Sequence, residues 1–330
     1  MCMFKIIITE NESNQRVDRF LKKYLDNAPL SMIYKIIRKD LKVNGKRVKE
    51  DFLLNVNDEL TLYLLDSEIE SFKKEKKIYR AKKQFKIAYE DENILIVEKP
   101  FGLLTHGDSK EKKNHLSNQV LDYLIEKDEY IPRNNPTFTP SPVNRLDRNT
   151  TGLVIFGKNA LSLQSLSKIV KDKDALKKEY LTIVSGKVLS ELHLKAHMTK
   201  DEHSNTIKVL NENEGKYMET IATPLEYGTY KGKTYTLLNV RILTGRTHQI
   251  RAQLGSSGYF LIGDQKYGNK EVNNVIQKEF HWTTQLLHAY KLTFTKIDDD
   301  RLKYLSGKEI TASLPKDFSR IKEVIFNGQE

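Results

Sequence analysis

Cysteine is nearly missing from this chain: Cys2 is the only one in 330 residues. No internal disulfide can form and no cysteine cluster can hold zinc, which fits a reducing compartment. Nowhere do about 18 apolar residues run on uninterrupted, the length a bilayer-spanning helix needs, and the apolar run near Met1 is too short for a secretory signal. The expectation is a soluble, cytoplasmic protein with no membrane contact. No Gly-rich phosphate loop of the P-loop pattern occurs, so no nucleotide cofactor is expected. No repeat recurs at a fixed period. Acid is the scarcer charge: 44 Asp and Glu stand against 55 Lys and Arg, a net charge of +11 and a pI near 9.3. That balance favours a polyanionic partner such as nucleic acid, with a Lys-rich soluble surface as the bland alternative.

Apolar residues make up 38% of the chain, enough for a large and a small domain each to bury a core. A seam lies at Asp66–Lys86 (DSEIESFKKEKKIYRAKKQFK), where the apolar pattern lapses into charge. It divides the chain into a small module at 1–65, a charged linker at 66–84 and a large domain at 85–330. In the module, Val17, Phe20, Leu21, Tyr24 and Leu25 recur at helical spacing after the cap candidate Ser13. A second helix is predicted after Ser31, with Met32, Ile33, Ile36 and Ile37 inward. Asn44-Gly45 marks a hairpin turn, and DELTLYL alternates Leu60, Leu62 and Leu64. In the large domain, strands are predicted at Phe85–Tyr89, Ile94–Glu98, GLVIFG, EYLTIVSG, TYTLLNVRIL and LLHAYKLTF, with helices at Leu116–Lys127 and Ala160–Lys171. The fold class is α+β, a large mixed, mostly antiparallel sheet preceded by the small module.

Lys35 to Lys49 carries seven Lys or Arg and a single acid, Asp40. Lys35, Arg38 and Lys39 share one helix face, and Lys46 and Arg47 extend the charge into the hairpin. Such a surface can follow phosphates. The order of Arg16, Asp18, RFL and SMIYKIIRKDLKVNGKRVKED resembles the small RNA-binding module named after a ribosomal protein, the S-four-like or alpha-L motif. The resemblance covers roughly Glu12–Leu64 and implies recognition of structured RNA.

The stretch VNRLDRNTTGLVIFGK, Val143–Lys158, sets one carboxylate, Asp147, between Arg145 and Arg148, just before a turn and an apolar strand. Neighbouring cations favour the ionised form of an acid, and a loop on a rigid strand is a common seat for a reactive group. The bland alternative is a structural ion pair. A second dense stretch, LTGRTHQIRAQLGSSGYFLIGDQKYG, places Arg246, His248 and Arg251 within six residues. His248 is a candidate general base; with no cysteine or acidic cluster beside it, a metal role is not expected.

Together with IVEKPFGLLTHGD at Ile96, KKEYLTIVSGK at Lys177 and LLHAYKLTF at Leu286, these motifs resemble the RluA-type pseudouridine synthases. The match spans about Phe85–Pro315, and the basic module in front resembles the layout of the RluC and RluD members. One departure is visible: Asn144 stands where the family usually has His. The resemblance implies a pseudouridine synthase fold and a cofactor-independent isomerase, a monomer that converts uridine to pseudouridine, with large-subunit ribosomal RNA as the expected substrate. It also implies that Asp147 acts on the ribose, that Arg251 pairs with Asp147 with Arg246 in reserve, and that Tyr180 lies against the uracil ring. By the same resemblance, Arg145 would enter the helix position vacated by the flipped base, and Arg246 and His248 would face the RNA. His106 has a counterpart near the RNA-facing loop, with a plain turn histidine as its alternative. Two other readings remain at this stage. One is a non-catalytic RNA-binding ribosome-assembly factor. The other is a nuclease holding magnesium through Asp147 with Asp264 or Asp298, against which the flanking arginines argue by repulsion.

Overall fold

A computed structural model describes residues 3–73, 80–201, 206–210 and 214–328. The small module holds three strands, β1 (Phe4–Ile7), β2 (Leu41–Val43) and β3 (Glu59–Leu62), paired antiparallel in the order β1-β3-β2. Helices α1 (Val17–Tyr24) and α2 (Leu30–Lys39) pack Val17, Phe20, Leu21, Ile33, Ile36 and Ile37 over that sheet. The predicted turn forms, with Asn44 and Gly45 at φ 50° and 77°, the left-handed values a tight hairpin requires. Three details differ from expectation. The strand β1 was not predicted. The helix N-caps are Arg16 and Pro29, while Ser13 instead donates its hydroxyl to the Glu10 carbonyl. The expected linker begins with a helix, α3 (Asp66–Ser71), which seats Ile69 in the small core; residues 74–79 of that linker lie outside the described residues.

Strands β4 (Lys86–Glu90), β5 (Ile94–Lys99), β6 (Ser141–Pro142), β7 (Thr151–Gly157), β8 (Leu176–Ser185), β9 (Leu192–Asp201), β10 (Thr206–Leu210), β11 (Lys216–Tyr230), β12 (Lys233–Ile242), β13 (Leu287–Phe294) and β14 (Glu309–Thr311) form the large sheet. Its main path runs β10-β9-β11-β12-β8-β13-β7-β5-β4, with β6 on β7 and β14 on β13. The pair β7–β13 is parallel and the other neighbours are antiparallel, so the mixed, mostly antiparallel sheet is as expected. Helices α4 (Leu116–Glu126), α5 (Ala160–Ile169), α6 (Gln249–Ser256), α7 (Lys270–Phe280) and α8 (Lys316–Asn327) complete the domain.

The central strands read as unbroken apolar runs because both faces are covered. In β7, Val154 and Phe156 enter one core cluster while Leu153 and Ile155 enter another; β5 divides Leu95 and Val97 from Ile94 and Ile96 in the same way. Gly152, at φ 109°, lets β7 meet β13: a Cβ there would fall 2.1 Å from the Ala289 carbonyl oxygen. The module touches the large domain through polar contacts. Asn11 accepts from the Ala160 amide at 2.8 Å, and Arg301 approaches Glu10 at 3.4 Å. No helix among the described residues is long and apolar enough to cross a membrane.

Candidate active site

Asp147 lies in the turn between β6 and β7, closed by a Thr150 amide to Asp147 carbonyl bond of 3.1 Å. The loop is fastened from below. Thr105 Oγ1 donates to the Leu146 carbonyl and accepts from the Leu146 amide, at 3.0 and 3.1 Å. Lys99, 1% exposed, donates to the carbonyls of Leu103 (2.7 Å), Arg148 (2.9 Å) and Pro100 (3.1 Å). Burial pushes its ammonium down to about 7, against the opposing pull of the Asp147 charge. Asn144 explains the departure from the family pattern in local terms. Its side chain accepts from the Ile155 amide at 2.8 Å and donates to the Leu153 carbonyl at 3.1 Å, tying the loop to β7.

Arg251 reaches Asp147 from α6, 104 residues away, its Nη1 donating to Oδ2 at 3.0 Å. Its other edge makes a fork with Asp264: Nε to Oδ2 at 2.7 Å and Nη2 to Oδ1 at 2.9 Å. The Asp264 side chain is wholly buried and that of Arg251 only 6% exposed. Burial opposes both charges, yet the pairing wins: Arg251 is held above and Asp264 below its ordinary value, Asp264 with help from the Lys266 and Tyr267 amides. Asp264 therefore positions the arginine, a role sequence reasoning missed when it weighed this acid as a metal ligand. Its place between Gly263 and the YG of the same motif was the only signal.

His248, expected to face RNA, is instead largely buried. It starts α6 in the left-handed region, φ 52°, with Nε2 3.7 Å from Asp147 Oδ2 and Nδ1 2.9 Å from the Tyr267 hydroxyl. The Tyr267 hydroxyl also accepts from the Ile207 amide at 2.6 Å, and which partner donates between it and Nδ1 follows the imidazole tautomer. Burial lowers the imidazole's affinity for a second proton, against the Asp147 charge.

Tyr180, on β8, lines the same space. Burial, followed by the Asp147 charge, drives its phenol well above the ordinary value, so it is protonated. A cleft of about 650 Å³ is walled by Asn144, Arg145, Asp147, Lys171, Lys178, Tyr180 and Arg246. Adjoining it and sharing Arg145, Asp147, Tyr180 and Arg246 with it, a hollow of about 60 Å³ is also lined by Thr150, His248, Arg251 and Leu287. Arg145 and Arg246 are exposed at the rim; Arg246 Nε donates to the Tyr217 carbonyl at 3.2 Å. Arg148 turns away to Asp108 at 3.6 Å. His106 meets Ser117 Oγ at 3.2 Å. Lys35, Arg38, Lys39, Lys46 and Arg47 are all exposed on the small module and apart from the Asp147 cluster, with Arg47 Nη1 donating to the Arg38 carbonyl at 3.1 Å. Asp298 is exposed, while Asp299 is occupied by Ser165 at 2.6 Å.

Asp147 is thus held by an arginine that a second, buried acid also grips, beside Tyr180 in a cation-rimmed cleft on the large mixed sheet. The chain belongs to the RNA pseudouridylate synthase family, as an RluA-type enzyme that isomerises uridine in RNA. The family model described as RNA pseudouridylate synthase matches residues 93–256. An uncharacterized RNA pseudouridine synthase of Mycoplasma capricolum is 34% identical over 316 residues, 93% of this chain and 97% of that protein. The ribosomal large subunit pseudouridine synthase C of Buchnera aphidicola is 33% identical over 88% of each chain. In fold, the chain is similar to human RNA Pseudouridylate Synthase Domain Containing 1, with a TM-score of 0.53 at 21% identity over 70% of this chain and 84% of that one.

Proposed function

We propose that this enzyme acts on uridines of large-subunit ribosomal RNA in the cytoplasm, as a monomer, with Asp147 as the catalytic group. The observation that carries the reading is the Asp147–Arg251–Asp264 arrangement beside the cleft. Both close contacts to Asp147, from Arg251 and His248, fall on Oδ2. Oδ1 is the atom left for the sugar. A single carboxylate suffices for isomerisation, either by attack on the anomeric carbon or by taking the proton of the neighbouring ribose carbon while the uracil leaves. Glycoside hydrolysis, by contrast, normally needs a second acid. The detached base turns within the cleft and rejoins through carbon 5.

Tyr180 supplies a ring surface for the uracil as a neutral phenol. Arg145 fills the gap left by the flipped nucleotide, whose extrusion costs least where the RNA is already looped. The small module is an S-four-like domain that holds structured RNA through Lys35, Arg38, Lys39, Lys46 and Arg47. The test is Asp147→Ala. Pseudouridine formation in ribosomal RNA should disappear while RNA binding persists, and an active variant would overturn the assignment. A pseudouridine map of ribosomal RNA from a deletion strain names the sites; an unchanged map points to a binding factor.

A further inference from the structure

Beyond Arg246, the wall of the cleft runs on to one face of the β9–β11 ribbon. The cleft loop is stitched to β11 by the Arg246 bond to the Tyr217 carbonyl at 3.2 Å and by the Glu219 amide donating to Thr244 Oγ1 at 3.0 Å. Directly opposed residues of an antiparallel pair share a face. The pairs Tyr217–His197, Glu219–Lys195 and Ile221–His193 therefore present one continuous surface. Tyr217 is 37% exposed, and its ring centre lies 5.5 Å from that of His197.

The acid of this face is already engaged. Glu219, 9% exposed at its side chain, meets His193 at 2.9 Å, Lys173 at 3.4 Å and Lys195 at 4.0 Å. It thereby holds the loop after α5, which also carries the cleft-lining Lys171, against the ribbon. Lys173 and Lys195 remain 55% and 57% exposed. The result is an exposed Tyr217 ring, with the half-buried His197 tilted beside it, within a row of cations next to the cleft. A cationic track with an interleaved ring is what a single-stranded nucleic acid needs, phosphates on the charges and a base on the ring.

We propose that this face binds the single-stranded RNA flanking the target uridine, with the Tyr217–His197 pair as a stacking platform for one base and Lys173, Lys195 and Arg246 as its phosphate contacts. The inference rests on the reading of the cleft as the uridine site. It is tested by binding alone, so that a failure of catalysis and a failure of this surface are separable. Full-length protein is titrated against a labelled RNA hairpin with a uridine loop, made with and without a short single-stranded extension.

Wild type should prefer the extended RNA, and Tyr217→Ala should weaken binding to it by about tenfold while leaving the blunt hairpin unchanged. Tyr217→Trp should restore the preference. Lys195→Ala should weaken the extended RNA and flatten its salt dependence by a log–log slope of about 0.7. The proposal falls if the extension adds nothing for wild type, if Tyr217→Ala loses equally on both RNAs, or if it loses on neither, as a protein-docking face would give. Loss of pseudouridine formation in wild type would sink the functional reading without touching these affinities.

Discussion

Arg251 stands between two carboxylates, and removing it leaves Asp264 charged in a fully buried site. Arg251→Met should cost about 3 to 5 kcal/mol in denaturant unfolding, beyond abolishing activity. Arg251→Lys keeps the charge but cannot serve both acids as a fork, so activity should fall by far more than stability. Lys99 makes a related case. Although Lys99→Met removes a buried ammonium, it leaves the Pro100, Leu103 and Arg148 carbonyls without their donor, and a net loss of about 2 to 4 kcal/mol is expected. His288 gives the pH dependence. Burial depresses its imidazole to about 4, with the Ala312 backbone opposing. The folded state therefore binds fewer protons than the unfolded chain between about 6.5 and 4. Stability present above about 6.5 should be lost as pH falls through that window, by up to about 3 kcal/mol, and His288→Gln should blunt the loss in unfolding measured against pH. Asp147 and Arg251 stood out in dense motifs, while Tyr180 and the Asp147–Arg251 pairing were singled out only through the family resemblance. Lys99 and Asp264 were not legible, since their partners lie elsewhere in the chain and a lone Lys or Asp shows nothing of its burial.

At the scale of elements, the junction of β7 with β13 is the tightest constraint on the site. Gly152→Ala would drive a methyl into the Ala289 backbone at positive φ, and a loss on the order of 3 kcal/mol with collapse of activity is expected. Gly232→Ala, also at positive φ (67°) but with open space around it, should cost about 1 kcal/mol and leave activity intact. Denaturant unfolding of the two variants separates crowding from backbone strain. Long apolar strands such as β7 and periodic helices such as α1 were readable from pattern alone. Strand β1 was not, being four residues with half-exposed alternation, nor was α3, which offers only Ile69 to a core amid charge. Helix α6 defied its composition differently: Gln249, Arg251 and Gln253 are buried, each paired with groups that local sequence does not reveal.

For the whole molecule, two groups of exposed cations matter here, those of the cleft rim and those on the exposed face of α2. Replacing Lys35, Arg38 and Lys39 together by Ala should lower the log–log salt slope of RNA binding by about 2 to 3, with catalysis at saturating RNA preserved. Gel-shift titrations at several salt concentrations measure the slope. The charge asymmetry was plain in the sequence. The alignment of cations along β9 and the loop after α5 was not, because it depends on the register of β11 against β9.

The two-acid, one-arginine centre also fixes the flow of charge. At rest, Asp147, Arg251 and Asp264 together carry one net negative charge. In the proposed reaction, an Asp147 consumed by the sugar would leave the buried Arg251–Asp264 remainder neutral, with the negative charge on the free uracil in the cleft. The protein interior would then host no unbalanced ion, and the departing base would remain an anion among the cleft's cations until it returned to the sugar through carbon.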